Sequence, residues 1–156
     1  MTKINLYLLI FFVFTLSCGF KVVDHSSLNN YEIASISTAG EKRINYRLKR
    51  VLLTNSNNSA EKLIDLDLNT EKTKSIKEKN IKNEVTKYQI TIKVIISIKE
   101  MNSNTNYEII KTTSGEYNVT DKYSQTLTNE KKLVEILANN LAEEISKSLS
   151  AKLNAI

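Results

Sequence analysis

The clearest pattern in the chain is an alternation of apolar and polar positions between residues 88 and 99. Every second position is apolar, and these positions are Tyr88, Ile90, Ile92, Val94, Ile96 and Ile98. A period of two is typical of a β-strand with one buried face. Ile95 breaks the alternation, and we expect it to make an apolar contact on the opposite face of the sheet.

The residues that follow predict an antiparallel hairpin. Asn102–Asn106 is a cluster of turn residues, and Tyr107–Thr113 is again rich in strand-forming residues, so residues 88–113 form the hairpin. Gly115 is expected to interrupt the second strand. A further extended piece then contains Tyr117, Val119 and Tyr123.

Two more strands are predicted earlier in the chain. Ile33 and Ile36 indicate a short strand over Tyr31–Thr38, and residues 64–69 alternate aliphatic side chains with Asp65, Asp67 and Asn69. The lysine-rich run over residues 71–83 has few aliphatic residues. It is interpreted either as a hairpin connection or as an extended edge.

Two helices complete the predicted fold. Between Glu41 and Leu53 the apolar residues follow helical spacing: Ile44, Leu48, Val51 and Leu52. Thr126 or Thr128 can cap a final helix, whose apolar stripe comprises Leu133, Leu137, Leu141, Ile145, Leu149 and Leu153, broadened by Val134, Ile136, Ala138 and Ala142. We expect this stripe to face the core, although a membrane-bound or coiled-coil helix would show a similar pattern. The fold class is α+β, a two-layer sandwich with two helices on one face of a mostly antiparallel four-stranded sheet.

Composition narrows the chemistry of this single domain of 156 residues. The chain has three Gly, one Cys, one His and no Pro, which excludes a glycine-rich phosphate loop, a disulfide framework and a multi-histidine metal site. His25 lies in a polar stretch and is expected to be solvated. No nucleophile stands near a base by motif, so we expect no enzyme, no cofactor and no metal. The net charge of +5 is too small to indicate nucleic-acid binding.

The N-terminus has the pattern of an export signal. Lys3 precedes an apolar run, Ile4–Leu16, which is too short to span a bilayer and suits a signal peptide. The only Cys follows in Ser17-Cys18-Gly19, which resembles a bacterial lipobox, although Thr15 stands where a Leu is usual. We interpret residues 1–17 as a lipoprotein signal peptide, 18–30 as acylated Cys18 and a tether, and 31–156 as the domain. The alternative is an unmodified Cys in an uncleaved anchor.

Charged clusters supply the candidate binding residues. Arg43, Arg47 and Arg50 share the first helix, and Lys74, Lys77, Lys79 and Lys82 share the lysine-rich run. Either group suits phosphates or anionic lipid, and either also suits a solvated surface. Asp65 and Asp67 could bind a cation or act as an acid/base pair, but nothing else converges on them, so a solvated strand face is favoured.

The order of these parts resembles the lipopolysaccharide-assembly lipoprotein family, LptE. The similar segments are Cys18-Gly19-Phe20, Val85–Ile90, Tyr123-Ser124, Asn129-Glu130 and Leu141–Ile145, so the resemblance covers residues 18 to about 153. It departs at Lys21–Asp24, where the family has a Leu-Arg-Gly-like segment. Gly19 after the Cys implies sorting to the outer membrane by resemblance to enterobacterial lipoproteins.

The resemblance implies a function in the outer membrane. Family members plug a large β-barrel, LptD, help it to assemble, and help to place lipopolysaccharide in the outer leaflet. By this resemblance the chain would be held in the membrane by its lipid anchor, and one of its basic clusters would contact lipopolysaccharide. The alternatives are another outer-membrane lipoprotein that binds a periplasmic partner (a peptidoglycan synthase activator or a secretion pilot), a lipid carrier, and a periplasmic enzyme.

Overall fold

The structure, a computed structural model, describes residues 30–103 and 105–154, apart from the side chain of Asn154. Its elements are β1 (Tyr31–Gly40), α1 (Lys42–Thr54), β2 (Lys62–Lys79), β3 (Val85–Glu100), β4 (Asn106–Asn118) and α2 (Tyr123–Asn154). Both helices pack on one face of a single four-stranded sheet, which confirms the predicted two-layer α+β sandwich. The predicted signal segment and Cys18 lie outside the described residues, so the processing of the N-terminus stays a prediction.

The first half of the domain is a β1-α1-β2 unit in which the two strands are parallel neighbours. Parallel strands need a crossover connection, and α1 supplies it. Gly40 has a φ of 89°, and a Cβ there would collide with the carbonyl oxygen of Thr70, so glycine is required where β1 turns into α1. Behind this turn, the buried Asn45 donates to the carbonyl of Ala39 and accepts from the Thr70 hydroxyl, both at 2.9 Å. These bonds fix the angle between strand and helix.

The second half is an antiparallel meander of β2, β3 and β4, so the order of strands in the sheet is their order in the chain. The predicted hairpin is confirmed. β1 pairs with β2 only as far as Gly40–Thr70. Beyond that point residues 71–79 are an open edge, and residues 80–84 connect to β3, so the lysine-rich run is both an edge and a hairpin connection. Residues 71–93 are called the distal ribbon below.

Gly115 does not interrupt β4, contrary to the prediction, because β4 continues to Asn118. Its role is to leave space for α2. A Cβ at Gly115 would lie 2.7 Å from Cδ1 of Leu133 and 3.3 Å from Cδ2 of Leu137. The absence of a side chain therefore lets α2 approach the strand closely. From the sequence alone, the same glycine indicated a break in the strand.

The start of α2 also differs from the prediction. Tyr123 is the first residue of the helix and is not part of an extended piece. Thr126 and Thr128 therefore lie inside the helix and do not cap it. The hydroxyl of Thr126 instead accepts a hydrogen bond from the backbone N–H of Thr120 at 2.9 Å, which fixes the connection between β4 and α2.

The core lies between the sheet and the two helices. From the predicted stripe of α2, seven residues are almost completely buried, namely Leu137, Ala138, Leu141, Ala142, Ile145, Leu149 and Leu153. They pack against the aliphatic side chains that alternate along β2 and β3. Ile136 was predicted to broaden this stripe, and that prediction is wrong because its side chain is 46% exposed. It lies about 100° around the helix from Leu137, which turns it toward solvent.

Candidate interaction surfaces

The tip of the distal ribbon is a tight turn that exposes two lysines and an isoleucine. Asn80 Oδ1 accepts two backbone N–H groups of the turn at 2.9 Å each, and Asn83 adopts a positive φ of 64°, which asparagine tolerates well. Lys79 Nζ donates to Asn83 Oδ1 at 2.9 Å. Lys82 and Ile81 are exposed, and Ile81 has no measurable shielding from solvent. The carboxylate of Glu84, which accepts from Asn80 Nδ2 at 2.7 Å, lies in the same turn. The tip therefore combines two lysines and an exposed apolar side chain with one carboxylate.

Lys74 lies on the helix side of the ribbon and contacts three side chains. Its ammonium nitrogen is 2.7 Å from Oε2 of Glu130 on α2, 4.3 Å from the centroid of the Tyr88 ring and 5.4 Å from that of Tyr117. The two rings stack with centroids 5.8 Å apart, and the Tyr117 hydroxyl donates to the same Glu130 oxygen at 2.8 Å. Charge-assisted hydrogen bonds and cation–π contacts thus tie β2 and β4 to α2.

The same contacts shift the pKa values of this cluster. Partial burial opposes the charged forms of Lys74 and Glu130, but the hydrogen bond and the attraction between them outweigh burial. The pKa of Lys74 is raised and the pKa of Glu130 is lowered. Burial raises the pKa of Tyr117, and its bond to Glu130 adds to the rise. The ion pair therefore persists at neutral pH.

Other ribbon lysines also face carboxylates. Lys77 Nζ is 3.2 Å from Glu116, and Lys87, which was not among the predicted site residues, is 3.1 Å from Glu78 and 3.9 Å from Glu116. The four lysines predicted as one cluster thus divide into two pairs. Lys74 and Lys77 neutralise glutamates, whereas Lys79 and Lys82 have no carboxylate partner within residues 30–103 and 105–154.

The three predicted arginines also differ in their surroundings. Arg47 points toward α2 and forms an ion pair with Glu135. Arg43 and Arg50 are exposed on the side of α1 that faces away from the sheet. Lys42 and Lys49 share this exposed side. They were not among the predicted binding residues, which on this helix were arginines only. Their helical spacing would have placed them on the same face.

One groove brings the two basic segments close together. Its volume is about 220 Å³, and it is lined by Arg43 of α1, Lys72 of β2 and Lys131 of α2, over a floor that includes Ile44, Leu127 and Val134. Glu41 and Glu130 also line it. Both cations and carboxylates line this groove, so it does not form a purely basic pocket.

The face of the sheet opposite the helices is uncovered in the part of the chain that the structure describes. It carries many short polar side chains, among them Ser35, Ser37, Asp65, Asp67, Asn69, Thr91, Ser97, Thr112 and Ser114, together with the longer side chains of Lys93 and Lys99. Ile95 has Ile110 as its register partner on this face, and Ile110 is 53% exposed. We call this surface the open sheet face.

The two aspartates on the open sheet face do not converge with other metal-binding groups. Asp65 Oδ1 accepts a hydrogen bond from the Ser35 hydroxyl at 2.6 Å. Across the described ranges, no group of three His, Cys, Asp or Glu side chains could hold a metal ion. The arrangement therefore favours a solvated strand face. Cys18 and His25 lie outside the described residues.

The helices of the described part include no segment that is long and apolar enough to cross a membrane. This finding concerns α1 and α2, which are amphipathic and pack against the sheet. The solvent-exposed side of each helix carries charged residues, and its buried side packs into the core.

Solved structures share this fold, although no protein-family model and no curated protein matches the chain. Rare lipoprotein B from Shewanella oneidensis aligns with a TM-score of 0.60 at 15% identity, over 78% of this chain and 98% of that one. Uncharacterised lipoprotein B from Nitrosomonas europaea aligns with a TM-score of 0.56 at 17% identity, over 88% and 94% of the two chains. At these identities the likeness establishes a common fold, and two proteins named as lipoproteins have that fold.

Proposed function

We propose that this chain is an outer-membrane lipoprotein, anchored through acylated Cys18 on the periplasmic side, that partners a large LptD-like β-barrel in lipopolysaccharide insertion. Two separate arguments support the proposal. The sequence resembles the LptE family in its N-terminal Cys18-Gly19-Phe20 and in segments of β3 and α2. The fold is shared with structures named lipoprotein B. We propose no enzymatic activity.

The observation that carries the barrel partnership is the open sheet face. One solvated face is common in antiparallel sheets, so exposure alone would not be an argument. This face, however, combines short Ser, Thr, Asn and Asp side chains with a small apolar centre at Ile95 and Ile110. The lumen walls of outer-membrane barrels are polar. Short polar side chains complement such a wall and lose little conformational entropy when they are ordered against it.

Photocrosslinking in living cells tests this orientation. A photoreactive residue at Ser97, on the open sheet face, should capture a large outer-membrane barrel protein. The same residue at Lys147, which is exposed on α2, serves as the matched control and should capture the barrel less efficiently. Capture of a peptidoglycan synthase or a secretion subunit from Ser97 would replace the barrel with the alternative partner. Equal capture from both positions would contradict the proposed orientation.

The ribbon tip is the proposed contact for lipopolysaccharide. Lys79 and Lys82 lack carboxylate partners in the described part of the chain, so binding a phosphate there breaks no ion pair. Lys74 and Lys77 would have to give up Glu130 and Glu116. Ile81 adds an apolar side chain between the two tip lysines. A ligand that carries both phosphates and acyl chains suits this combination.

Neutralisation of the tip tests the lipopolysaccharide contact. The double variant Lys79→Gln, Lys82→Gln should weaken lipopolysaccharide binding by roughly tenfold or more, because each lysine near an anionic surface contributes about 1 kcal/mol. The control, Lys93→Gln with Lys99→Gln, removes the same charge from the exposed lysines of the open sheet face. Unchanged binding in the tip variant, or equal loss in both variants, would remove the tip from the proposal.

A further inference from the structure

We propose that the exposed face of α1 docks on an anionic phospholipid bilayer, with the helix lying in the plane of the headgroups. The exposed residues of α1 are Thr54 and a set that we call the α1 face: Lys42, Arg43, Tyr46, Lys49, Arg50 and Leu53. This face holds four cations, one aromatic and one aliphatic side chain. No acidic residue occurs within α1.

Helical geometry places these residues together. Ile44, Leu48 and Leu52 are at most 1% exposed and face the sheet. At about 100° per residue, Tyr46 and Leu53 lie on the opposite side, and all six members of the α1 face fall within an arc of roughly 120°. Tyr46 is 70% exposed and Leu53 is 45% exposed. The two apolar side chains therefore project outward between the cations.

This combination has the chemistry of a basic surface with two hydrophobic side chains at its centre. A free interfacial helix turns its apolar side into the membrane, whereas α1 buries that side in the core and would meet lipid through its cations, each of which contributes about 1 kcal/mol near an anionic surface. Long basic side chains keep their charges among phosphates while their methylene stems cover apolar surface. α1 is also fixed to the sheet through its other side, so docking requires no refolding and costs no helix-forming entropy.

The neighbouring helix sets the limits of the α1 face. Arg47 pairs with Glu135 on the flank between the helices, and Asn55 Nδ2 donates to Ser146 Oγ at 3.2 Å near the end of α1. These two contacts show that α1 and α2 run in the same direction. The exposed Glu143 and Glu144 of α2 therefore lie level with the end of α1. At the beginning of α1, Lys131 of α2 lines the same groove as Arg43 and adds a cation to this side of the domain.

The path of the chain favours a bilayer as the occupant. The carbonyl of Tyr31, where β1 begins, accepts from the N–H of Asn57 at 3.1 Å, so the N-terminal segment joins the domain beside the end of α1 that carries Leu53. Thirteen residue steps separate Cys18 from Tyr31. They span at most about 45 Å, so an acylated Cys18 would keep this end of α1 within about 45 Å of the headgroups. This argument rests on the proposed anchor, whereas the charge argument does not.

Vesicle binding tests the α1 face without the anchor. The protein is residues 18–156 with Cys18→Ser, so no acyl chain contributes, and a cooperative thermal transition verifies that each variant is folded. The probes are phosphatidylcholine vesicles with and without one-third phosphatidylglycerol. The protein should bind the anionic vesicles and not the neutral ones. Equal binding to both kinds of vesicle would overturn the proposal, because the cations would then contribute nothing. No binding to anionic vesicles would also overturn it and leave an acidic protein surface as the better occupant.

Matched variants distinguish a contribution of the α1 face to vesicle binding from an effect of the protein's net charge. Lys49→Gln with Arg50→Gln should weaken binding to anionic vesicles by roughly 25-fold, at about fivefold per cation. Lys93→Gln with Lys99→Gln lowers the net charge equally on the opposite side and should change binding less than about twofold. Tyr46→Ser should weaken binding with no change of charge. Equal loss in both charge variants would overturn the proposal, and none of these results depends on a barrel partner.

Discussion

The two basic segments of this chain look alike in sequence and differ in their surroundings. In the distal ribbon, Lys74 and Lys77 are held by glutamates of α2 and β4. In α1, Arg47 has a glutamate partner, and the other four cations project from the exposed face. The partner of Lys74 is 56 residues away in the chain. A cluster of cations thus stays exposed or becomes a structural bridge according to tertiary contacts, which its own sequence does not contain.

Gly115→Val should disturb the packing of β4 on α2 and have the largest effect. The new side chain would press on Leu133 and Leu137, which should lower the free energy of unfolding by about 1–3 kcal/mol. Ser114→Val, on the open sheet face of the same strand, is the control and should be nearly neutral. Chemical denaturation of both variants measures the difference. Equal stability would show that α2 does not need the space at Gly115.

Two glutamates of α2 allow a direct comparison of the basic segments. Glu130→Gln should cost roughly 1 kcal/mol, because it removes a charge-assisted bond to Lys74 that is only partly screened by solvent. Glu135→Gln removes the partner of Arg47, where both side chains are more than 30% exposed, and should cost about 0.5 kcal/mol or less. Equal costs from denaturant titrations would contradict the distinction between a structural bridge and a surface pair.

Acidification should weaken the bridge in the ribbon. The pKa of Glu130 in the folded protein is lowered from its ordinary value of 4.5, so the folded state binds this proton less readily than the unfolded state. Its stabilising contribution is complete above pH 4.5 and is lost as the pH falls through the lowered value. The stability difference between the wild type and Glu130→Gln should therefore shrink as the pH falls from neutral toward about 3. A constant difference would contradict the ion pair.

The exposed cations should contribute least to stability. Lys82→Gln and Arg50→Gln should each change the free energy of unfolding by no more than about 0.5 kcal/mol. These residues lie on the ribbon tip and on the α1 face, where side chains are exposed. Thermal unfolding of the single variants measures this effect. A loss of more than about 1 kcal/mol in either would show that the residue is a structural bridge after all.

Periodicity alone predicted most of the fold because each element buries one face. The alternate apolar residues of β3 are buried from Ile90 onward, and every fourth residue of the α2 stripe is buried from Leu137 onward. Local pattern failed where distant residues decide. Gly115 looked like a break in a strand, and it is the point where α2 approaches β4. Tyr123 was predicted to be extended because it continues an alternation of apolar residues. It is instead the first residue of α2, where the hydrogen bond from the N–H of Thr120 to the hydroxyl of Thr126 fixes the connection into the helix.

The candidate site was less predictable than the fold. Sequence identified both basic segments but gave no reason to separate Lys74 from Lys82, because Glu130 is brought to Lys74 only by the packing of α2 on the sheet. It also overlooked Lys42 and Lys49, whose helical spacing would have placed them with Arg50. The open sheet face was visible as the polar half of each alternation. Only the three-dimensional structure shows that both helices pack on the other face and leave this one uncovered.

The central claim is the partnership with an outer-membrane barrel, and purification from the envelope tests it most directly. The mature protein would be isolated from detergent-solubilised membranes, the modification of Cys18 determined by mass spectrometry, and the proteins recovered with it quantified. The account predicts an acylated Cys18 and a large β-barrel protein in near-equal amount. Recovery of the acylated protein alone, or with a peptidoglycan synthase or secretion subunit in place of the barrel, would contradict it.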